Sequence, residues 1–175
     1  MAEKKITQLT ALASVATSDV LPIVDDPGGS PETKKVTVAN LFAALTAAAL
    51  PTDIRTRFVN YSIGGDTVAI STGVVKGDLM WEISGTLQSW TLLADQSGAI
   101  KIDVWKDTYA NFPPTDADTI CNGHEPEIAA SGAKAQDTDL SDWGDTSIAA
   151  GDIWRFNVDS CTSITAVTIC FKVLI

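Results

Sequence analysis

Two β-strands joined by a turn are predicted by residues 90–114, WTLLADQSGAIKIDVWKDTYANFPP. Asp95-Gln96-Ser97-Gly98 has the composition of a tight turn, so the pattern indicates a β-hairpin over residues 86–105. Apolar and polar side chains alternate in the second strand, which places Asp103 and Trp105 on a solvent-facing side opposite a buried one. This stretch has no residue pattern typical of catalysis.

The two-residue period continues towards the C-terminus. Short alternating runs separated by Gly, Asp and Ser occur at residues 58–63, 67–70, 77–85, 151–159 and 164–173. Short strands at this spacing are typical of a β-sandwich or barrel. We therefore predict a mainly β protein with an antiparallel, eight-stranded, jelly-roll-like β-sandwich over residues 59–175. Trp90 and Trp154 lie within predicted strands, and we expect both in its core.

A smaller N-terminal region precedes this sandwich. Val20–Asp25 and Thr33–Val38 favour strands and are separated by a turn rich in Pro and Gly, so they predict a short hairpin. A helix is predicted next, with Thr37 or Asn40 as its cap and Pro51 as its end. The predicted boundaries are residues 1–51 for an arm, hairpin and helix, 52–58 for a linker, and 59–175 for the sandwich.

Charge is distributed unevenly along the chain. The 175 residues carry a net charge of -10, but residues 1–58 hold six basic and six acidic side chains, so all of the excess lies beyond Phe58. An acidic domain repels the phosphate backbone, which excludes nucleic acid as the main partner. The hydrophobic content of 45% is enough for a packed core.

The sequence also bears on the compartment. Residues 1–9 lack the continuous apolar segment of a secretory signal, and residues 38–50 are shorter than the roughly 20 apolar residues that span a bilayer as a helix. Cys121, Cys161 and Cys170 are an odd number of cysteines in a domain large enough to fold without disulfides, which favours reduced thiols. We expect no membrane partner and assembly in a reducing cytoplasm.

Two parts of the sequence resemble proteins of tailed-bacteriophage particles. Residues 94–114, with 151–153 (GDI) and 155–159 (RFNVD), are similar to a β-sandwich domain found in phage fibre, spike and decoration proteins. Three N-terminal segments resemble a module that recurs in tail-fibre and head-fibre proteins. These segments are KITQL (5–9), SDVLPIVD (18–25) and TKKVTVANL (33–41). The resemblance covers nearly the whole chain and is shared by head and tail proteins.

The resemblance implies that the N-terminal module attaches the protein to the virion, through the major capsid protein or another virion protein. The candidate anchoring residues are apolar positions of this module: Ile6, Leu9, Leu21, Ile23, Val36 and Val38. The short helix also has an apolar face, which three copies meeting at a threefold axis would bury. The candidate contacts of such a homotrimer are Leu41, Phe42 and Leu45.

The expected function is that of a non-enzymatic virion protein, a trimeric capsid decoration or head-fibre protein that displays the β-sandwich outward. The short linker favours these two over an extended tail fibre. The alternative is the receptor-binding tip of a tail fibre or baseplate appendage, with a host surface glycan as partner. A cellular carbohydrate-binding module is a third alternative, which the N-terminal resemblance disfavours.

Residues 111–147 form a long segment between predicted strands, where a site is expected. Thr115 is predicted to cap a helical turn within it. His124 lies near Cys121, but a zinc site needs about four ligands and the chain has no second pair at ligand spacing. The carboxylates of residues 137–145 predict a solvated acidic turn, with calcium binding as the alternative. We predict no metal, no cofactor and no catalytic residue.

Aromatic residues are the remaining candidates for binding. Trp105 lies beside Lys101 and Asp103, and Trp143 lies in the acidic turn, so we expect both to be partly exposed. Together with Tyr109 they are candidate ligand or interface residues, since exposed aromatic side chains stack on sugar rings or anchor protein contacts. A contact between copies is favoured over a glycan platform.

Overall fold

Two compact units make up the chain, with the boundary between Pro51 and Thr52. The structure is a computed structural model that describes residues 14, 16–25, 28–30, 32–43, 50–65 and 67–175. Strands account for 54% of it and helices for 11%, which confirms the prediction of a mainly β protein. The predicted N-terminal arm, residues 5–12, lies outside the described residues.

The N-terminal unit contains the predicted hairpin. Its elements are β1 (Val20–Asp25), β2 (Glu32–Thr37) and α1 (Val38–Ala43). The two strands pair antiparallel along their whole length. The Thr37 hydroxyl accepts a 3.1 Å hydrogen bond from the Asn40 amide, so Thr37 is the helix cap. The predicted continuation of the helix over residues 44–49 lies outside the described residues.

The C-terminal unit begins with a helical turn and continues with eight strands. These elements are α2 (Thr52–Arg55), β3 (Thr56–Gly64), β4 (Gly73–Val74), β5 (Leu79–Met80), β6 (Gly85–Thr108), β7 (Glu127–Asp137), β8 (Ser147–Ile148), β9 (Asp152–Thr162) and β10 (Ala166–Leu174). The strands form one curled antiparallel sheet in the order β3-β10-β6-β9-β4, with β5 beside β9 and with β7 and β8 beside β6. Residues 52–58, the predicted linker, hold α2 and the start of β3.

β6 is the longest strand, and it occupies the residues for which a hairpin is predicted. It runs for 24 residues and passes through Asp95–Gly98 without reversing direction. β10 pairs with its first half, from Thr86 to Ala94, and β9 pairs with its second half, from Ala99 to Thr108. β9 and β10 therefore lie end to end along β6, and the predicted hairpin over residues 86–105 is wrong.

The residues that resemble a turn form a corner of the sheet instead. The ladder between β6 and β7 shifts its register at Gly98, and shifts of this kind bend a strand. The Asp95 carboxylate accepts hydrogen bonds from the Thr165 amide at 3.1 Å, the Thr165 hydroxyl at 2.5 Å and the Ala166 amide at 2.9 Å. The carboxylate thus satisfies backbone amides at the junction of β9 and β10, where Ser163 has a left-handed φ of 71°.

One hydrophobic core joins the two halves of this curled sheet. Trp154 of β9 meets Phe171 of β10 edge to face, with ring centroids 5.1 Å apart. Tyr61 of β3 stacks on Phe156 of β9 at 4.4 Å, although these strands are not neighbours in the sheet. The sheet therefore closes over itself as a β-sandwich does, and the expected burial of Trp90 and Trp154 is confirmed.

The side of β6 that alternation predicts to be wet is buried. Asp103 is 6% exposed and Trp105 is 7% exposed. The chain that follows β6 turns back along it, because the Ile120 amide donates to the Val104 carbonyl at 3.0 Å and the Thr119 hydroxyl donates to the Asp103 carboxylate at 2.6 Å. The alternation predicts the strand correctly, but a later segment of the chain covers its second face.

Gly98 is required by the close approach of strands at the corner. A Cβ at this position would lie 2.2 Å from the Thr162 carbonyl oxygen and 2.8 Å from the Ile164 side chain. We expect Gly98→Ala to lower the free energy of unfolding by about 2 kcal/mol or more, since the backbone must shift. Gly144→Ala is the matched control, because a Cβ there meets atoms no closer than 3.5 Å. Urea unfolding measures both, and equal small effects would contradict the tight corner.

Asp95 makes the stability of the corner dependent on pH. Hydrogen bonds from the Thr165 hydroxyl and the Ala166 amide hold the pKa of Asp95 below its usual value of 3.8. The ionised carboxylate therefore stabilises the fold above about pH 4, and this contribution is lost as the pH falls through the lowered pKa. We expect Asp95→Asn to lower the urea midpoint at pH 7 and to differ less from the parent protein at pH 3. Asp116→Asn serves as the control, and a difference that is constant with pH would contradict this role of Asp95.

Candidate functional site

The candidate anchoring residues of the N-terminal unit fall into two groups. Leu21 and Ile23 in β1 are exposed, whereas Val36 is half-buried and Val38 is buried. Leu21 lies opposite Val36 in the hairpin, so these two side chains share one face of the ribbon. The candidates Ile6 and Leu9 lie outside the described residues.

The candidate trimer contacts in α1 are apolar and exposed, like the candidate anchoring residues of β1. Phe42 is 66% exposed and Leu41 is exposed to a lesser degree, while Leu45 lies outside the described residues. Within the described part of this unit, the exposed large apolar residues are Val20, Leu21, Ile23, Leu41, Phe42 and Leu50. A two-stranded hairpin with a short helix cannot bury such a set by itself, so these side chains form a candidate contact surface.

Two of the three aromatic candidates in the C-terminal unit are not at the surface. Trp105 and Trp143 are each 7% exposed, so the expectation that they are partly exposed is wrong. The Trp105 indole N–H donates to the Asp103 carboxylate at 2.6 Å, which satisfies its polar atom inside the protein. Trp143 belongs to the hydrophobic core, and the adjacent Gly144 amide donates to the Ile120 carbonyl at 2.9 Å. Neither side chain can contact a ligand in this structure.

Tyr109 is the aromatic candidate that lies at the surface. It is 80% exposed and begins a turn of 3-10 helix, Tyr109–Asn111. Phe112, which sequence reasoning missed, is also exposed, and the Arg155 guanidinium lies 5.1 Å from the centre of its ring. Arg155 is itself held by two hydrogen bonds to Asp78, at 2.7 and 2.8 Å. This end of the sheet therefore presents exposed aromatic side chains, and the Arg155–Asp78 ion pair lies beside Phe112.

The segment over residues 111–147 is more ordered than its sequence predicts. Thr115 begins a second turn of 3-10 helix, Asp116–Asp118, and the predicted cap is confirmed by 2.8 Å hydrogen bonds from its amide and hydroxyl to the Asp118 carboxylate. β7 then occupies a third of the segment and pairs with both halves of β6. A substantial part of the predicted loop is thus part of the framework.

The pair of Cys121 and His124 is not arranged as an activated thiol. Cys121 is fully buried, and burial raises the pKa of its thiol far above the usual value. His124 is exposed, and its backbone amide donates to the Cys121 carbonyl at 2.9 Å. Cys161 and Cys170 are free like Cys121. Among the described residues, no group of three or more His, Cys, Asp or Glu side chains could hold a metal ion.

The acidic turn over residues 137–145 uses its carboxylates locally. Asp137 accepts a hydrogen bond from the Asp139 amide at 2.9 Å, and Asp139 accepts one from the Ser141 amide at 3.2 Å. Asp145 accepts hydrogen bonds from Ser147 and from the Lys106 ammonium. These carboxylates therefore fix the turns in which they occur.

Comparisons with known proteins do not extend this description. No protein-family model matches the chain, and no curated protein matches it significantly. None of the helices in the described ranges is long and apolar enough to cross a membrane.

The burial of tryptophan gives a direct spectroscopic prediction. All five tryptophans, Trp81, Trp90, Trp105, Trp143 and Trp154, are 7% exposed or less. We expect acrylamide to quench the native fluorescence weakly and as a single class, and to quench strongly in urea. Tyr109→Trp is the control, because it adds a tryptophan at an exposed position and should add one readily quenched component. A readily quenched fraction in the parent protein would contradict the burial of Trp105 and Trp143.

Proposed function

We propose that this chain is a non-enzymatic structural protein of a tailed-bacteriophage particle. Its N-terminal unit binds the major capsid protein or another virion protein, and its C-terminal β-sandwich is displayed outward. The protein acts as a capsid decoration or head-fibre protein and assembles as a homotrimer. The resemblance of residues 5–9, 18–25, 33–41, 94–114, 151–153 and 155–159 to phage virion proteins is the sequence support for this proposal.

The structural support is the exposed apolar surface of the N-terminal unit. Leu21, Ile23 and Phe42 are exposed in a hairpin and helix that form a compact unit of their own. Apolar side chains at this density mark a contact with another protein. Because the unit does not bury these apolar residues itself, it is suited to binding another protein as an anchor. Leu41 and Phe42 are exposed, so they are also available for contacts between copies of the chain.

The charge of the sandwich fits display on a particle surface. The whole excess of ten negative charges lies beyond Phe58, in the unit that would face solvent. Net charge of one sign keeps molecules apart and soluble. Many copies on one particle would therefore give it an acidic outer layer.

The copy number of the protein per particle tests this role against the alternative of a receptor-binding tail tip. Quantitative mass spectrometry of purified particles measures the ratio of this chain to the major capsid protein. A ratio near one chain or one trimer per capsomer is expected for a decoration protein. A handful of copies would instead place it on a tail fibre, baseplate appendage or single vertex, and absence from particles would contradict both roles.

The anchoring surface can be tested with matched variants. We expect Leu21→Asp combined with Phe42→Asp to abolish attachment to particles, because charges would replace the exposed apolar contacts. Thr33→Asp combined with Ala39→Asp adds the same two charges at exposed positions of the same unit and should leave attachment unchanged. Deleting residues 1–51 should release a folded sandwich that no longer joins particles. Attachment of the truncated protein, checked by co-sedimentation with particles, would contradict the assignment of the anchor.

A further inference from the structure

One face of the sandwich differs in charge from the rest of the unit. It is the outer face of the four neighbouring strands β3, β10, β6 and β7, opposite the core, and we call it the polar face. One row across it consists of Asn60, Cys170, Thr91 and Gln136, which lie opposite one another in register. The next row includes Phe58, Lys172 and Ser89. No residue in these two rows is acidic, although the unit holds the whole excess of negative charge.

Two adjoining grooves lie on the polar face. Each has a volume of about 340 Å³, and Phe58 and Lys172 are in the walls of both. The first groove is otherwise lined mainly by Thr91, Gln136 and Thr138. Small-molecule sites occupy roughly 300–1,000 Å³, so the pair of grooves has the size of a site for a small or elongated ligand.

The polar side chains of the first groove are available for hydrogen bonding. Within the described part of the chain, Thr91, Gln136, Thr138 and Lys172 make no side-chain hydrogen bond or ion pair. The polar side chains beside them are paired: Cys170 donates to Asn60 at 2.7 Å, and elsewhere on the face hydroxyls also pair. The groove therefore concentrates two hydroxyls, an amide and an ammonium, which offer donors and acceptors together.

An aromatic side chain stands next to these polar groups. Phe58 is 69% exposed although it lies in a strand, and its neighbour across the sheet is Lys172. An exposed phenyl ring offers an apolar surface on which the C–H face of a sugar ring can stack, while hydroxyl and amide groups at its side bind the sugar hydroxyls. This combination of one ring with several free donors and acceptors matches a polyhydroxylated ligand.

Other classes of ligand fit these groups less well. The second groove is completed by Thr52, Asp53 and Thr56, so Asp53 is the one carboxylate in the lining of the two grooves. A hard cation such as calcium takes six to eight oxygen ligands, which a single carboxylate does not provide. Nucleic acid is repelled by the net charge of the unit. An apolar ligand would leave the hydroxyls and the amide unpaired in the groove, which costs free energy. The core of a contact between proteins is depleted in lysine and serine, which disfavours a second copy of the chain as the occupant.

We propose that the two grooves of the polar face bind an oligosaccharide. Phe58 stacks on one sugar ring, and Thr91, Gln136, Thr138 and Lys172 hydrogen-bond the hydroxyl groups around it. This site is separate from Trp105 and Trp143, which are buried, and from the exposed Tyr109. It does not depend on the proposed role in a particle, because the residues of both grooves belong to the C-terminal unit.

The test is binding of the full chain to an array of short neutral and acidic oligosaccharides, followed by calorimetry with the sugars that bind. We expect Phe58→Ala and Gln136→Ala each to weaken binding by about tenfold or more, through loss of the stacking surface and of hydrogen bonds. Met80→Ala is the control, since it removes an exposed apolar side chain that lines neither groove and should leave binding unchanged. Thermal unfolding shows that each variant remains folded.

Three results would overturn the proposal, whatever the particle experiments give. The first is that no sugar on the array binds. The second is that sugar binding survives both groove variants or is lost in Met80→Ala. The third is that Phe58→Ala changes the native mass of the protein while sugar does not bind, which would make the polar face a contact between copies.

Discussion

The bend of β6 at Asp95–Gly98 is the constraint on which the rest of the sandwich depends. β6 pairs with β7, β8, β9 and β10, so both halves of the sheet are built on it. Asp95 satisfies two backbone amides where β9 gives way to β10, and the missing side chain of Gly98 lets the strands approach. Once the strand has turned this corner, β3 faces β9 across the core, and Tyr61 can stack on Phe156.

Several acidic residues of the sandwich stabilise its fold by accepting hydrogen bonds, in addition to giving it a negative charge. Asp95 satisfies the corner, Asp103 binds the indole of Trp105, and Asp139 and Asp145 fix turns. A carboxylate accepts several hydrogen bonds at once, so Asp95, Asp139 and Asp145 bind backbone amides, and Asp103 binds the Trp105 indole and the Thr119 hydroxyl. On the polar face, β10 and the first half of β6 have a paired strand on each side, and the two rows of side chains across them contain no acidic residue.

The predicted helix caps are confirmed, whereas the predicted hairpin and the predicted exposure of Trp105 and Trp143 are wrong because distant parts of the chain decide them. Thr37 and Thr115 cap turns formed by the next few residues, so both could be recognised locally. Asp95–Gly98 suits a turn or a corner equally well, and the deciding partner, Thr165, lies 70 residues later. The acidic neighbours of Trp143 suggest a surface position, yet its side chain belongs to the core and the adjacent Gly144 amide donates to the Ile120 carbonyl. The grooves combine four strands, and so no single stretch of sequence reveals them.

The position of β10 has a consequence for how the protein folds. β10 lies between β3 and the first half of β6, so Asn60 meets Cys170 across 110 residues of chain. Sheets made of such distant pairings fold slowly, because the cost of closing long loops precedes the gain from contacts. During synthesis on the ribosome, the edges of β3 and β6 that pair with β10 remain unpaired until residues 166–174 have emerged. The fold is therefore completed after translation of β10, and any assembly that requires the finished sandwich must follow it.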